Sequence, residues 1–409
     1  MWHGANMATF VIILFLFVQF LFMIRVSLRN AGLFDVMLAS LLIKLGLILL
    51  IIPRYTSEDS DSIMYFEQAQ GLLPGTHGFV ELFNAGDAWG TNLIIGVTAC
   101  ILKVAGPSLT VATLSFALPS FWGAYIYYCV FREVFPEANY LYARIVLFLY
   151  PSIVFWTAML GKDGLVFLFL SMVAYGRAKL ESRGTATLWL VMLTGIAGCS
   201  LIRPHIGALL VISTAASFSF ARKGKQKHVA RRVASTIFLA IVSLAVVYLC
   251  AQLLRLTDVQ EAQQHVQLST AFNGQGSSGF EQSSNPLYRL TLAPLLLVRP
   301  FPWELVGAPA ALASTEGILL LSVVLIRRKR ILEPMKSARL CGFMTYLRWF
   351  VALNVLLLAL GSSNFGLLAR QRTMILPLIA LVVLGSFTKT RSRLDSCVGE
   401  LRLSSTAAK

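Results

Sequence analysis

About a dozen apolar runs, most of them near the length that crosses a bilayer, set what this chain can become. They fall near residues 8–24, 33–53, 92–106, 107–131, 143–160, 164–177, 187–202, 204–221, 233–254, 310–326, 343–360 and 373–388. A hydrocarbon core about 30 Å thick takes about 20 apolar residues of helix. Within it every backbone polar group must be satisfied internally, which leaves helices or closed barrels. Runs this long and this unbroken read as helices. The chain is 57% hydrophobic and 13% charged, about half the charge of a soluble domain. The expected fold is therefore all-α, a polytopic transmembrane bundle of about 11–12 segments. Soluble globular and disordered classes are excluded.

The net charge of +16 has a pattern. RKGKQKHVARR (222–232) and RRKRILEPMKSAR (327–339) each carry six Lys/Arg, and FTKTRSR (387–393) carries three more. Short basic loops between spans are the signature of the cytoplasmic side, where they also favour anionic lipid heads. This pattern argues against nucleic acid and makes membrane lipids a partner. The six cysteines are scattered with no CxxC or other metal spacing, so they read as small core residues. MWHGANMATF has no Lys or Arg, and a cleavable signal wants a basic start; 8–24 reads as a retained span.

Three parts follow: a transmembrane core over 1–230, a C-terminal transmembrane part over 231–395, and a cytoplasmic tail over 396–409. Two long polar segments of low positive charge, 54–91 and 255–309, belong outside. The Gly/Ser-rich stretch 273–285 reads as a flexible lid, and Trp303 suits a membrane interface. Alternation does not close, however, if every run crosses. The run 92–106, short and Gly-containing, is the segment expected to break it, as a re-entrant or interfacial helix.

Charges at the ends of runs are the candidates for chemistry. SEDSDSIMYFEQAQGL (57–72) places Glu58, Asp59, Asp61 and Glu67 within ten residues of one another. It reads as a capped helix start, with 65, 68, 69 and 72 on the face of Asp61. It is either a solvated cap or the acid/base or metal-binding end of a site. In YPSIVFWTAMLGKDGL (150–165), Lys162 and Asp163 sit between apolar stretches, where ionisable groups are costly and are paired or functional. In SLIRPHIGALL (200–210), Pro204 disfavours helix geometry at Arg203, so a break or tight turn presents Arg203 and His205. Arg299, Arg370 and Arg372 fall in segments expected outside, against the charge trend. Arginine forks onto phosphate oxygens, so these four arginines suit a phosphate or diphosphate; singly, each also reads as a snorkelling interface residue. No Walker, GxSxG or HExxH pattern occurs, and the histidines lack metal spacing.

DSIMYFEQA, with Tyr65 four residues after Asp61 and Ala69 four beyond, resembles the first outer loop of the GT-C superfamily of integral membrane glycosyltransferases. YPSIVFWTAMLGKDG is similar to that superfamily's later Pro…Asp region. LIRPHIG and LARQRTMILP resemble segments of bacterial polysaccharide-biosynthesis membrane proteins of the same kind. The resemblance covers roughly the first half of the chain. It implies a GT-C-like architecture with juxtamembrane helices in the first outer loop. It also implies transfer of a sugar from a polyprenyl-phosphate-linked donor to a glycan or lipid acceptor. The reaction would take place on the outer face of the bacterial inner (plasma) membrane, in cell-surface polysaccharide synthesis. Asp61 matches the loop acid, with Asp59 its rival, and Asp163 the second acid; Tyr65, Lys162, Arg203, His205, Arg299, Arg370 and Arg372 would line the substrate. The acid would serve as general base, or Asp61 and Asp163 would hold a divalent cation, Mg or Mn. Many members carry a second acid beside the first; here Ser62 follows Asp61. Two other readings stay open: a polymerase or ligase of lipid-linked oligosaccharide repeats, and a transporter or flippase of a lipid-linked substrate.

Overall fold

The computed structural model describes residues 2–30, 32–51, 60–75, 80–81, 89–136, 138–220, 237, 286–304, 307–335, 341–362 and 364–387. The expected span 233–254 (residue 237 apart), the lid 273–285, the basic loop 222–232, the tail 396–409 and Asp59 lie outside them. Among the described residues the chain is helical, with no strand. Four helices are long and apolar enough to cross a membrane, or five if the bent pair Phe365–Arg372 and Leu376–Gly385 is one span. Helix α1 (Trp2–Ser27) shows the lipid-facing character plainly, since Phe10, Ile13, Phe17 and Leu21 are all exposed on it. A solvated protein would not leave so much contiguous apolar surface open.

Packing registers fix the direction of each helix. α2 (Phe34–Gly46) runs on as a π-helical turn over Leu47–Ile51. After α3 (Asp61–Leu72) and α4 (Gly90–Ala105) comes the long α5 (Leu109–Val134). α5 lies parallel to α1, with Gln19 on Trp122 and Phe22 on Tyr125. It is also parallel to α8 (Lys162–Lys179). There Gly164 sits against the Phe116 carbonyl and Gly123 against Leu168, so close that a Cβ on either would collide. The return path between them is broken. α6 (Tyr140–Leu149) stops before Pro151, which starts the short α7 (Pro151–Trp156), and a turn over 157–161 leads into α8. Proline has no N–H to give and is at home in a first helical turn, so the run 143–160 is two helices rather than one.

α9 (Ala186–Ile202) returns antiparallel to α8, its Gly195 against Phe169 and Val173. α10 (Pro204–Phe220) folds back on α9 at Arg203, with Gly207 against Ser200. The break expected at Pro204 is there: Arg203 has φ −140° and ψ 86°, outside the helix. Later in the chain, α11 (Pro286–Thr291) precedes α12 (Gly307–Met335), α13 (Cys341–Gly361), α14 (Phe365–Arg372) and α15 (Leu376–Gly385).

These registers give the bundle two unlike ends. Asp61, Lys162, Arg203 and α14 lie at one. Arg29, Arg132, Lys179, Arg183 and Arg327–Arg330 lie at the other, which also holds the Arg132–Asn30 contact and the Glu181 carboxylate capping the backbone N–H groups of Gly342 and Phe343. α4 begins at the first end, where Lys162 Nζ donates to Thr91 Oγ1 at 2.8 Å. It also finishes there, because α5 starts four residues past Ala105 and its Phe116 is level with Gly164. Leu109 is therefore about 10 Å beyond that level at 1.5 Å per residue. α4 does not cross the bundle, and the alternation that the sequence left open closes once this helix is taken out of the count.

Candidate functional site

At the first end, four segments distant in sequence place their charges against one another. Asp61 is the first residue of α3, whose start is capped by Ser60: its Oγ accepts from Ile63 N–H at 3.4 Å. The next residue, Ser62, is buried and donates from Oγ to the Leu160 carbonyl at 2.8 Å. That bond ties α3 to the 157–161 turn, so that Asp61 and Asp163 face a common space. Asp163 itself sits in the first turn of α8, where the helix dipole favours an anion.

Arg370, in the last turn of α14, bridges the two acids. Its Nη1 donates to Asp61 Oδ2 at 2.5 Å, and its Nε to Asp163 Oδ2. Arg203 Nη2 holds the other oxygen of Asp163 at 2.7 Å, and its Nη1 touches Met374 Sδ at 3.8 Å. The pairs differ in access. The Asp163 and Arg203 side chains are 6% and 8% exposed, whereas that of Asp61 is 49% exposed. Asp163 has both oxygens spent on cations; Asp61 keeps one oxygen open to the surroundings. Tyr65, one turn after Asp61, is buried beneath this network. Burial, and then the Asp61 carboxylate, pushes its phenol above the ordinary tyrosine range, so it is a neutral group. Gly161 borders this network: a Cβ on it would make ordinary contact 3.5 Å from Arg370 and 3.6 Å from Tyr65.

The other expected residues fall around this network or away from it. Lys162 is half-buried at its edge, on Thr91. His205 is exposed on the first turn of α10. Arg299 pairs with Glu304, its Nε 2.9 Å from Oε1, and lies over the Phe365 ring. Arg372 turns inward: 1% exposed, it donates to the carbonyls of Leu297 at 2.9 Å, Arg299 at 3.2 Å and Ala313 at 3.3 Å, and stands 3.8 Å from Glu316. Neither Arg299 nor Arg372 joins the Asp61–Asp163 network.

Several residues were not singled out from the sequence. Ser62 and Thr91 have no composition signal. Glu316 and Lys44 do have one, a lone ionisable group inside an apolar run. Glu316 accepts from the Ser152 N–H at 2.7 Å. Lys44 donates to Ser120 at 2.9 Å and to Thr157 at 2.7 Å, directly behind the 157–161 turn.

Among the described residues no three His, Cys, Asp or Glu side chains converge as a metal site would need. With both Asp163 oxygens held by guanidinium groups, the arrangement does not fit a divalent cation placed between Asp61 and Asp163. It suits a substrate anion on the arginines beside one open carboxylate. No protein family, curated protein or solved structure matches this chain.

Proposed function

We propose that this protein is a membrane glycosyltransferase of GT-C-like architecture that uses a polyprenyl-phosphate-linked sugar. The observation that carries the reading is the meeting of Asp61, Asp163, Arg203 and Arg370 at one end of the bundle, opposite its basic end. Cationic loop residues collect on the cytoplasmic side, so the site faces the extracytoplasmic side of the bacterial inner membrane.

The chemistry follows from the charges. Arg203 and Arg370 are fixed cations whose forked donors match phosphate oxygens, and the start of α8 adds a partial positive charge. The donor phosphate binds there. Asp61, with an open oxygen, takes the proton from the acceptor hydroxyl. The acceptor's oxygen forms the new bond to the anomeric carbon. The bond from that carbon to the phosphate oxygen breaks, and the phosphate leaves with the electron pair, stabilised by the arginines. Asp163 is the positioning acid, since it holds both guanidinium groups without facing the opening. Trp303, exposed at 79% and stacked on Phe301, suits the interface from which a lipid-linked donor enters.

The test is turnover of polyprenyl-phosphate sugar by the purified chain in vesicles. Arg370→Ala is expected to raise the apparent KM for the donor at least about tenfold. Unchanged kinetics would remove Arg370 from the phosphate site. Movement of the donor across the vesicle with no glycosylated product would replace the transferase reading with a transporter.

A further inference from the structure

We infer that the cationic end of α12, Arg327–Arg330, is a binding surface for the anionic headgroups of bilayer phospholipid. This rests on the basic end of the bundle and not on the transferase reading. The apolar part of α12, Ala310–Ile326, is about 25 Å of helix, close to the hydrocarbon thickness. Exposed Trp303 lies just before it and four consecutive cations just after. That spacing places Arg327–Arg330 at the headgroup layer.

The surface is apolar as well as charged. Leu325 is 57% and Ile326 78% exposed, so side chains suited to acyl chain stand directly before the cations suited to a headgroup. Arg327 is not a free-swinging charge, because its guanidinium lies 4.2 Å over the Phe387 ring at the end of α15. Phe387 in turn meets Tyr142 at 6.3 Å, an aromatic pair of the kind that marks an interface. Arg328, Lys329 and Arg330 are exposed, and no ion pair to a described acid occupies them. Exposed apolar side chains, a fixed cation and unpaired cations together match one amphiphile with a negative head.

The test reads this position alone, because other basic segments also attract anionic lipid. The full chain, its six native cysteines replaced, carries Ile326→Cys labelled with a fluorophore. Quenching is compared in vesicles of brominated phosphatidylglycerol and brominated phosphatidylcholine at equal mole fraction. Each cation near a surface is worth roughly a fivefold preference, so phosphatidylglycerol is expected to be favoured at least about tenfold. R328Q/K329Q/R330Q should bring the ratio within about twofold of one. Raising the salt on the unsubstituted chain should shrink it too, which keeps the test valid if that variant does not fold. Equal quenching by both lipids, or a preference that survives both the substitutions and salt, overturns the inference. So does displacement of the lipid by free glycerol phosphate at the same concentration, which would mark a site for a soluble anion.

Discussion

Arg370 and Arg372 lie two residues apart on the same short helix and meet opposite surroundings. Two residues turn a helix by about 200°, so one guanidinium faces the opening at the end of the bundle and the other faces the interior. Arg370 sits between the exposed carboxylate of Asp61 and the buried one of Asp163. Arg372 is closed in by backbone carbonyls and Glu316. On the reading proposed above, the same residue type serves binding in one place and cohesion in the other. What separates them is one partner: Asp61 is 49% exposed, whereas Asp163 and Glu316 are both buried.

The largest expected effect breaks the interior member. Arg372→Met leaves three carbonyls short of a donor and Glu316 without its cation. Removing one partner of a buried ion pair costs about 3–5 kcal/mol, so little folded protein should be recovered and its unfolding midpoint in detergent should fall sharply. Arg370→Met leaves the buried Asp163 still paired with Arg203, so its midpoint should fall less while function is impaired. Similar midpoints for both variants would erase the contrast. Asp163→Asn comes next. Arg203 and Arg370 both lose their shared anion, so transfer and thermal stability should fall together. A variant stable yet inactive would instead mark Asp163 as a reacting group. Ser62→Ala should be smallest: one buried hydrogen bond, about 1 kcal/mol, with transfer reduced only severalfold as α3 loosens from the 157–161 turn. Placement is checked separately. Thiols introduced at 60 and 162 should react with an impermeant reagent from the same side of the membrane, and one at 329 from the other.

Much of this layout was legible in the residues. Alternating apolar runs and basic loops gave the helical membrane bundle, and Pro204 gave the break at Arg203, which is buried against Asp163. The Asp61–Tyr65–Ala69 spacing gave a helix face; Tyr65 and Ala69 are indeed buried while Asp61 stays open. Charges at run ends singled out Asp163, Arg203 and Arg370. The difference between Arg370 and Arg372 was not legible, because it depends on where the 293–304 segment and α12 place their carbonyls. Nor was the supporting role of Ser62, which looked like a departure from an acidic pair and acts as a strut to Leu160. Lys44 and Glu316 were visible as lone charges in apolar runs, but their partners lie more than seventy residues away, and no local pattern connects them. For α4, the sequence supplied the suspicion that it does not cross. The neighbours at its two ends supply the reason.

The most direct test of the account is sugar transfer by the purified, vesicle-reconstituted chain, compared with Asp61→Asn. The account expects product from the unsubstituted chain. It expects Asp61→Asn to lower the rate about 10²–10⁴-fold with an unfolding midpoint that does not move. Asp61→Asn transferring sugar at the full rate would contradict it.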